Sequence, residues 1–168
     1  MISFTGSTAV GQKIAQLTAS SMKKVSLELG GKNAAVVFND ANIDESVAGV
    51  TRSAFLNQGE ICLCTSRIFV QSKIYEAFLE KFVASVKKLK VGDPMDEDTF
   101  TGAVNSKLHY DKVMSYIQFA REDGGTIQCG EGVSALNLEP QNKNGYFIQP
   151  TVISGLSDDS RYDLICDD

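Results

Sequence analysis

A chain of 168 residues with 43% hydrophobic and 22% charged residues has the balance of a soluble globular protein, neither disordered nor membrane-bound. Its net charge of −5, with Lys and Arg spread through amphipathic segments instead of gathered into a stripe, argues against nucleic acid as a partner. The longest apolar runs, such as residues 34–38, fall far short of the roughly 20 residues that cross a bilayer, so no membrane partner is expected.

Taken in chain order, residues 2–5 read as a short strand that turns at Gly6-Ser7 into a helix over 8–20, with apolar spacing at Val10, Ile14 and Leu17. Strands are expected at 25–29, ending on Gly30-Gly31, and at 34–38. Asn42 with Glu45 three residues on is a helix start, and Val47, Val50, Ala54 and Phe55 carry that helix towards residues 57–59. A strand at 68–71 precedes an amphipathic helix through Ile74, Phe78, Phe82, Val86 and Leu89. Gly92-Asp93-Pro94 breaks the pattern, and a helix over 106–123 is closed by Gly124-Gly125. Strands follow at 126–129 and 150–153, separated by a polar, turn-rich stretch and followed by an acidic tail. Alternating strands and helices imply an α/β fold with a mostly parallel sheet and flanking helices.

Three segments carry chemistry. Phe4-Thr5-Gly6-Ser7-Thr8, with Gly11 beyond, places small residues where a strand meets a helix N-terminus, whose N–H groups can face a phosphate; the same spacing also serves as a plain tight connection. Leu27-Glu28-Leu29-Gly30-Gly31-Lys32-Asn33 puts a single acid at a strand end beside paired glycines. Half-buried in an apolar setting, Glu28 would have the raised pKa of a general base; alternatively it is structural, paired with Lys32 or Arg67.

Asn57-Gln58-Gly59-Glu60-Ile61-Cys62-Leu63-Cys64-Thr65-Ser66-Arg67 sets two thiols in a polar break between helix and strand, where a thiolate can act as a nucleophile. In extended chain Cys62 and Cys64 share one face, so position alone does not choose between them. Cys62, Cys64, Cys129 and the lone His109 lack the paired-knuckle spacing of a structural zinc site, so no metal is expected, and His109 reads as a surface or packing residue. Without a basic-apolar leader or a dense disulfide spacing, the four cysteines, Cys166 included, are read as reduced thiols of a cytoplasmic protein.

Together these segments resemble the aldehyde dehydrogenase superfamily from Ile2 to about Arg161. The family's glutamate signature corresponds to residues 27–34 and its cysteine signature to 57–67, and Gly145-Tyr146-Phe147-Ile148-Gln149-Pro150-Thr151 matches a later element. Within the family, residues 57–71 most resemble the 2-aminomuconic semialdehyde dehydrogenase branch. The resemblance implies NAD(P)-dependent oxidation of an aldehyde, with Cys62 as the catalytic nucleophile that forms a thiohemiacetal and then a thioester. It implies Glu28 as the catalytic base that activates water, and Gly6, Ser7, Leu29 and Gly30 as cofactor-binding positions for NAD, with NADP left open.

Gly11 is expected to serve close helix packing and Lys32 to lie outside the pocket. The resemblance further implies residues 1–30 as the end of a Rossmann-like NAD-binding domain, 31–168 as a partial catalytic domain, and a parent enzyme that is a homo-oligomer. Two departures stand out. The chain starts at the strand before the pyrophosphate turn, and Tyr162-Asp163-Leu164-Ile165-Cys166-Asp167-Asp168 does not resemble the Glu-Glu-Ile-Phe-Gly-Pro element of the family. The fold is therefore expected to be truncated at both ends and the isolated chain to be inactive, with an inert fragment, or one that binds a full-length relative, as the alternative.

Overall fold

The computed structural model describes residues 1–130, 136, 138–157 and 160. Its elements run in the order β1 (Ile2–Gly6), α1 (Thr8–Ala19), β2 (Val25–Leu29), β3 (Asn33–Val37), α2 (Ile43–Phe55), β4 (Thr65–Val70), α3 (Tyr75–Val86), α4 (Lys107–Glu122), β5 (Thr126–Cys129) and β6 (Val152–Ser154). Short 3-10 turns occupy Leu56–Gly59, Ser72–Ile74 and Pro140–Asn142. Strands and helices follow the expected order, though β2–β3, α3–α4 and β5–β6 are consecutive and so do not strictly alternate, and the acidic tail with Cys166 lies outside the described residues.

Local chemistry explains the helix starts. Ser7, Asn42 and Ser106 each stand in extended backbone and accept a hydrogen bond from an N–H of the first turn, satisfying donors that the helix itself cannot. Asp44 and Glu45 then place negative charge at the positive end of the α2 dipole, and Arg52 places positive charge at the other. Gly124, at φ 89°, and Gly125 close α4; a Cβ on Gly125 would stand 2.8 Å from the Ala120 carbonyl oxygen.

The strands form three two-stranded ladders among the described residues, not one continuous sheet. β1 pairs with β2 and β3 with β4, both parallel, whereas β5 and β6 are antiparallel. A parallel crossover needs a helix-length connection, and the sequence between β5 and β6 is polar and turn-rich, so β6 returns alongside β5. β4 starts at Thr65, three residues earlier than its apolar run suggests. Asn33 and Ala34 supply ladder partners for the polar residues Thr65 and Arg67.

The core lies on one face of the β3–β4 ladder, where Val37 meets Val47 and Val50 of α2, Phe78, Phe82 and Val86 of α3, and Val152 of β6. The Phe78 and Phe82 rings stack with centroids 5.6 Å apart, and Phe55 stacks on Phe82 at 6.4 Å. Thr51 Oγ1 donates to Ser85 Oγ at 3.1 Å, tying α2 to α3. On the opposite face of the same ladder Val36, Phe38 and Phe69 are exposed. α1 packs on β2 through Gly11: a Cβ there would stand 2.8 Å from Leu29 Cδ2, so the close helix-strand approach expected of Gly11 is what the structure has. Among the described residues no helix is long and apolar enough to cross a membrane.

Phe82 is 2% exposed and joins both ring stacks, so Phe82→Ala should lower stability by about 3–5 kcal/mol. Urea unfolding followed by circular dichroism measures this, and a loss below about 1 kcal/mol would mean that the α2–α3 seam is not the core.

Candidate active site

The positions expected to meet a cofactor converge at one edge. Gly6 pairs with Leu29 in the β1–β2 register, Ser7 follows Gly6, and Gly30 follows Leu29, so all four lie at the carboxyl ends of two parallel strands. Ligands of open α/β sheets bind at such ends. α1 begins there as well, its first turn carries no acidic residue, and Ser7 Oγ accepts from the Val10 N–H at 3.2 Å. The chemistry of this turn fits an anionic pyrophosphate, because the positive end of the α1 dipole lies there and the first turn of the helix carries no acidic residue.

Glu28 lies one residue before this edge, paired with Thr5, and here the structure corrects an expectation. Its side chain is exposed, not half-buried. Side chains alternate along β2; Leu29 turns towards Gly11 of α1, so Glu28 faces the opposite way. Arg67, one of its expected structural partners, is engaged elsewhere: Nη2 donates to the Lys32 carbonyl at 3.0 Å, and the guanidinium lies 5.8 Å from the Phe69 ring centroid.

The cysteine loop, residues 56–64, is shaped by a run of left-handed backbone. Asn57, Gln58 and Gly59 have φ of 49°, 63° and 82°. Only glycine adopts this region freely; asparagine visits it more readily than most, and glutamine does so at a cost. Three anchors hold the conformation. Gln58 Nε2 donates to the carbonyls of Gly102 at 3.0 Å and Ala103 at 2.9 Å. Glu60 Oε1 is 2.9 Å from Nε2 of His109, so the lone histidine ties the loop to α4 and is more than a packing residue. Asn33 Nδ2 donates to the Cys62 carbonyl at 2.5 Å and the Cys64 carbonyl at 3.2 Å.

The two thiols do not share a face. The Cys64 N–H donates to the Ile61 carbonyl at 2.8 Å, closing a turn where extended chain was assumed, and the alternation that would have made them equivalent is lost. Cys62 is exposed, whereas Cys64 is 9% exposed and its thiol donates to the Leu56 carbonyl at 3.5 Å. Cys129 packs against the core, and burial pushes its thiol above the ordinary value. Cys62 is therefore the accessible thiol among the described residues. It lies on the loop held by the side chain of Asn33, the first residue of β3, and Asn33 itself stands five positions after Glu28 in the chain.

Beside the loop is a hollow of about 450 Å³ lined by Asn57, Gln58, Phe100, Gly102, Asn142 and Phe147, among others. Neither Cys62 nor Glu28 lines it. At its rim Asp93 accepts from the Met95 N–H, Asn142 Nδ2 and Gln141 Nε2, and these donors hold its carboxyl below the ordinary value. Among the described residues no three His, Cys, Asp or Glu side chains gather as a metal site would need. Sequence reading missed Asn33, Gln58 and His109. Asn33 had a visible signal, as a polar residue opening the apolar strand Ala34-Ala35-Val36-Val37.

Comparison with known proteins gives a consistent likeness. The model of the aldehyde dehydrogenase family matches residues 1–163. The chain is 56% identical over 160 residues to 2-aminomuconic semialdehyde dehydrogenase of Bos taurus, covering 95% of this chain and 33% of that protein. Its counterpart in Mus musculus is 53% identical over 161 residues, with 96% and 33% covered. Among solved structures, betaine aldehyde dehydrogenase from Staphylococcus aureus in complex with NAD+ matches with a TM-score of 0.88 at 33% identity, over 98% of this chain and 32% of that one. PnpE in complex with nicotinamide adenine dinucleotide matches with a TM-score of 0.83 at 42% identity, over 90% and 31%. The chain thus spans about a third of the length of the relatives it matches.

Gly59→Ala should cost about 1–2 kcal/mol in urea unfolding, because its left-handed backbone excludes a Cβ at low cost, and that Cβ would stand 3.1 Å from the Ala54 carbonyl oxygen. A lowered carboxyl pKa gives stability that is present above the ordinary value and lost as pH falls through the folded one. Asn142→Ala should accordingly move the Asp93 titration, followed by carboxyl NMR, upward towards its ordinary value.

Proposed function

This chain belongs to the aldehyde dehydrogenase family, and from that premise we propose that it supplies the catalytic segment of an NAD-dependent enzyme that oxidises an aldehyde to a carboxylic acid. The observation that carries the reading is an exposed Cys62 on a tightly anchored loop, tied by the Asn33 side chain to the start of β3, five residues along the chain from Glu28 at a parallel strand end. Similarity to 2-aminomuconic semialdehyde dehydrogenases suggests 2-aminomuconic semialdehyde as the substrate. NAD is suggested by the NAD+ complexes of similar structures and by the β1–α1 turn, where Gly6, Ser7, Leu29 and Gly30 would hold it; NADP is left open. When bound, the dinucleotide supplies the hydride acceptor.

In this reading Cys62 Sγ, as thiolate, forms a bond to the aldehyde carbon, and the carbonyl electrons move to oxygen. The Cys62 N–H donates to that oxyanion, the role of a preorganised donor where charge develops. Once the carbon has been oxidised, Cys62 holds the acyl group as a thioester. The exposed Glu28 carboxylate takes a proton from water, the resulting hydroxide adds to the thioester carbon, and the C–S bond breaks with return of the Cys62 thiolate. Cys64 takes no part because its thiol is turned inward onto the Leu56 carbonyl, and Cys129 takes none because burial pushes its thiol up and disfavours the ionised form that attacks.

The division at residue 30 belongs to the same proposal and is supported by the packing of β1, β2 and α1 on one another, while β3 opens a separate ladder with β4.

The test is aldehyde-dependent NADH formation, measured on the 168-residue chain and on a polypeptide of its relatives' length that carries this segment. The short chain is expected to be silent. In the long one, Cys62→Ala should abolish turnover and Cys64→Ala should preserve it. Glu28→Gln should retain a first-turnover burst and slow later cycles by about 10²–10⁴-fold. Turnover that survives Cys62→Ala would sink the reading.

A further inference from the structure

Asn33 opens β3 with an exposed side chain that reaches across to the cysteine loop. Its amide carries two N–H donors and meets two carbonyls, those of Cys62 at 2.5 Å and Cys64 at 3.2 Å. Both carbonyls are drawn to one point, so the chain between them folds into the turn that the Cys64 N–H closes on the Ile61 carbonyl. Packing does not hold this turn from within: Leu63, between the two cysteines, is 80% exposed.

We propose that Asn33 is a positioning residue that selects which of two neighbouring thiols the protein presents, holding Cys62 outward and Cys64 inward. Two cysteines at i and i+2 are equivalent in extended chain, and the turn is what makes them differ. Two of the three hydrogen bonds that define it come from a single side chain. With the turn in place, the Cys64 thiol meets the Leu56 carbonyl, and Cys62 is left to solvent. Aspartate at this position would keep the shape but turn an oxygen on each carbonyl, and serine has one proton and can satisfy only one of them. The inference deepens the reading of Cys62 as nucleophile and rests on that reading for its catalytic meaning; the selection itself requires no turnover.

The experiment is brief alkylation of the folded 168-residue chain with iodoacetamide, scored by fragment mass spectrometry as the ratio of Cys62 to Cys64 modification. The unsubstituted chain should favour Cys62 by more than tenfold; Asn33→Asp and Asn33→Ala should reduce that preference by roughly tenfold, the size expected from two lost hydrogen bonds. Asn33→Ser should lie between. Circular dichroism checks the fold of each variant, and Asn33→Ser decides the matter should the other two not fold. A ratio unchanged in the folded variants would overturn the proposal. So would NMR of the unsubstituted chain in which the Asn33 side-chain protons exchange with water as fast as those of free asparagine. Neither readout depends on NADH formation, so failure here is distinct from failure of the proposed reaction.

Discussion

The parallel ladder between β3 and β4 begins at Asn33 and Thr65, and the segments that matter chemically hang from that first rung. β4 continues directly from the cysteine loop, and β3 follows the Glu28 strand after Gly30-Gly31-Lys32. Backbone pairing alone would set the two chains side by side. The Asn33 amide extends the contact past the end of the ladder onto the carbonyls of Cys62 and Cys64, and Arg67 returns the tie by donating to the Lys32 carbonyl. The register shift between Asn33 and Ala34 marks where regular pairing gives way to this side-chain connection.

Behind the rung the structure separates a rigid support from a strained tip. The support is the aromatic and aliphatic layer of α2 and α3 against Val37, in which Phe78, Phe82 and Val86 are each 2% exposed. The tip is the left-handed run at 57–59, where two residues other than glycine hold a conformation that costs on the order of 1–3 kcal/mol each. Such strain persists only where the surroundings over-determine it. The anchors do so from three directions: Gln58 to the 102–103 backbone, Glu60 to His109 of α4, and Asn33 of β3 to the far end of the loop.

The two halves of the site are built by different means. The edge formed by Gly6, Ser7, Leu29 and Gly30 arises from parallel strands ending together and a helix starting beside them, so its chemistry is that of backbone N–H groups. The cysteine loop is held by the side-chain amides of Asn33 and Gln58, which donate to backbone carbonyls, and by the Glu60 carboxylate, which meets Nε2 of His109. The first arrangement suits a ligand held by its phosphates; the second suits a nucleophile that must be accessible and also held still. The likeness to betaine aldehyde dehydrogenase, with a TM-score of 0.88 over 98% of this chain, covers both.

Periodicity, caps and glycine placement were enough to determine most of the elements. β2 and β5 carry the expected bounds, and Asn42 and Ser106 cap their helices where capping chemistry says they should, because these signals act over a few residues. The choice of Glu28 and Cys62 as chemical candidates came from the resemblance of residues 27–34 and 57–67 to a known family, since residue type and position alone left Cys62 and Cys64 equivalent and Glu28 open to a structural role. Three matters were decided only in the tertiary structure: the exposure of Glu28, the inequivalence of Cys62 and Cys64, and the use of Asn33, Gln58 and His109 as anchors. Each depends on contacts between residues 29 to 49 positions apart, or on which face of a strand another layer covers. A local pattern holds no record of either, so the sequence names the groups while the fold decides which of them faces solvent.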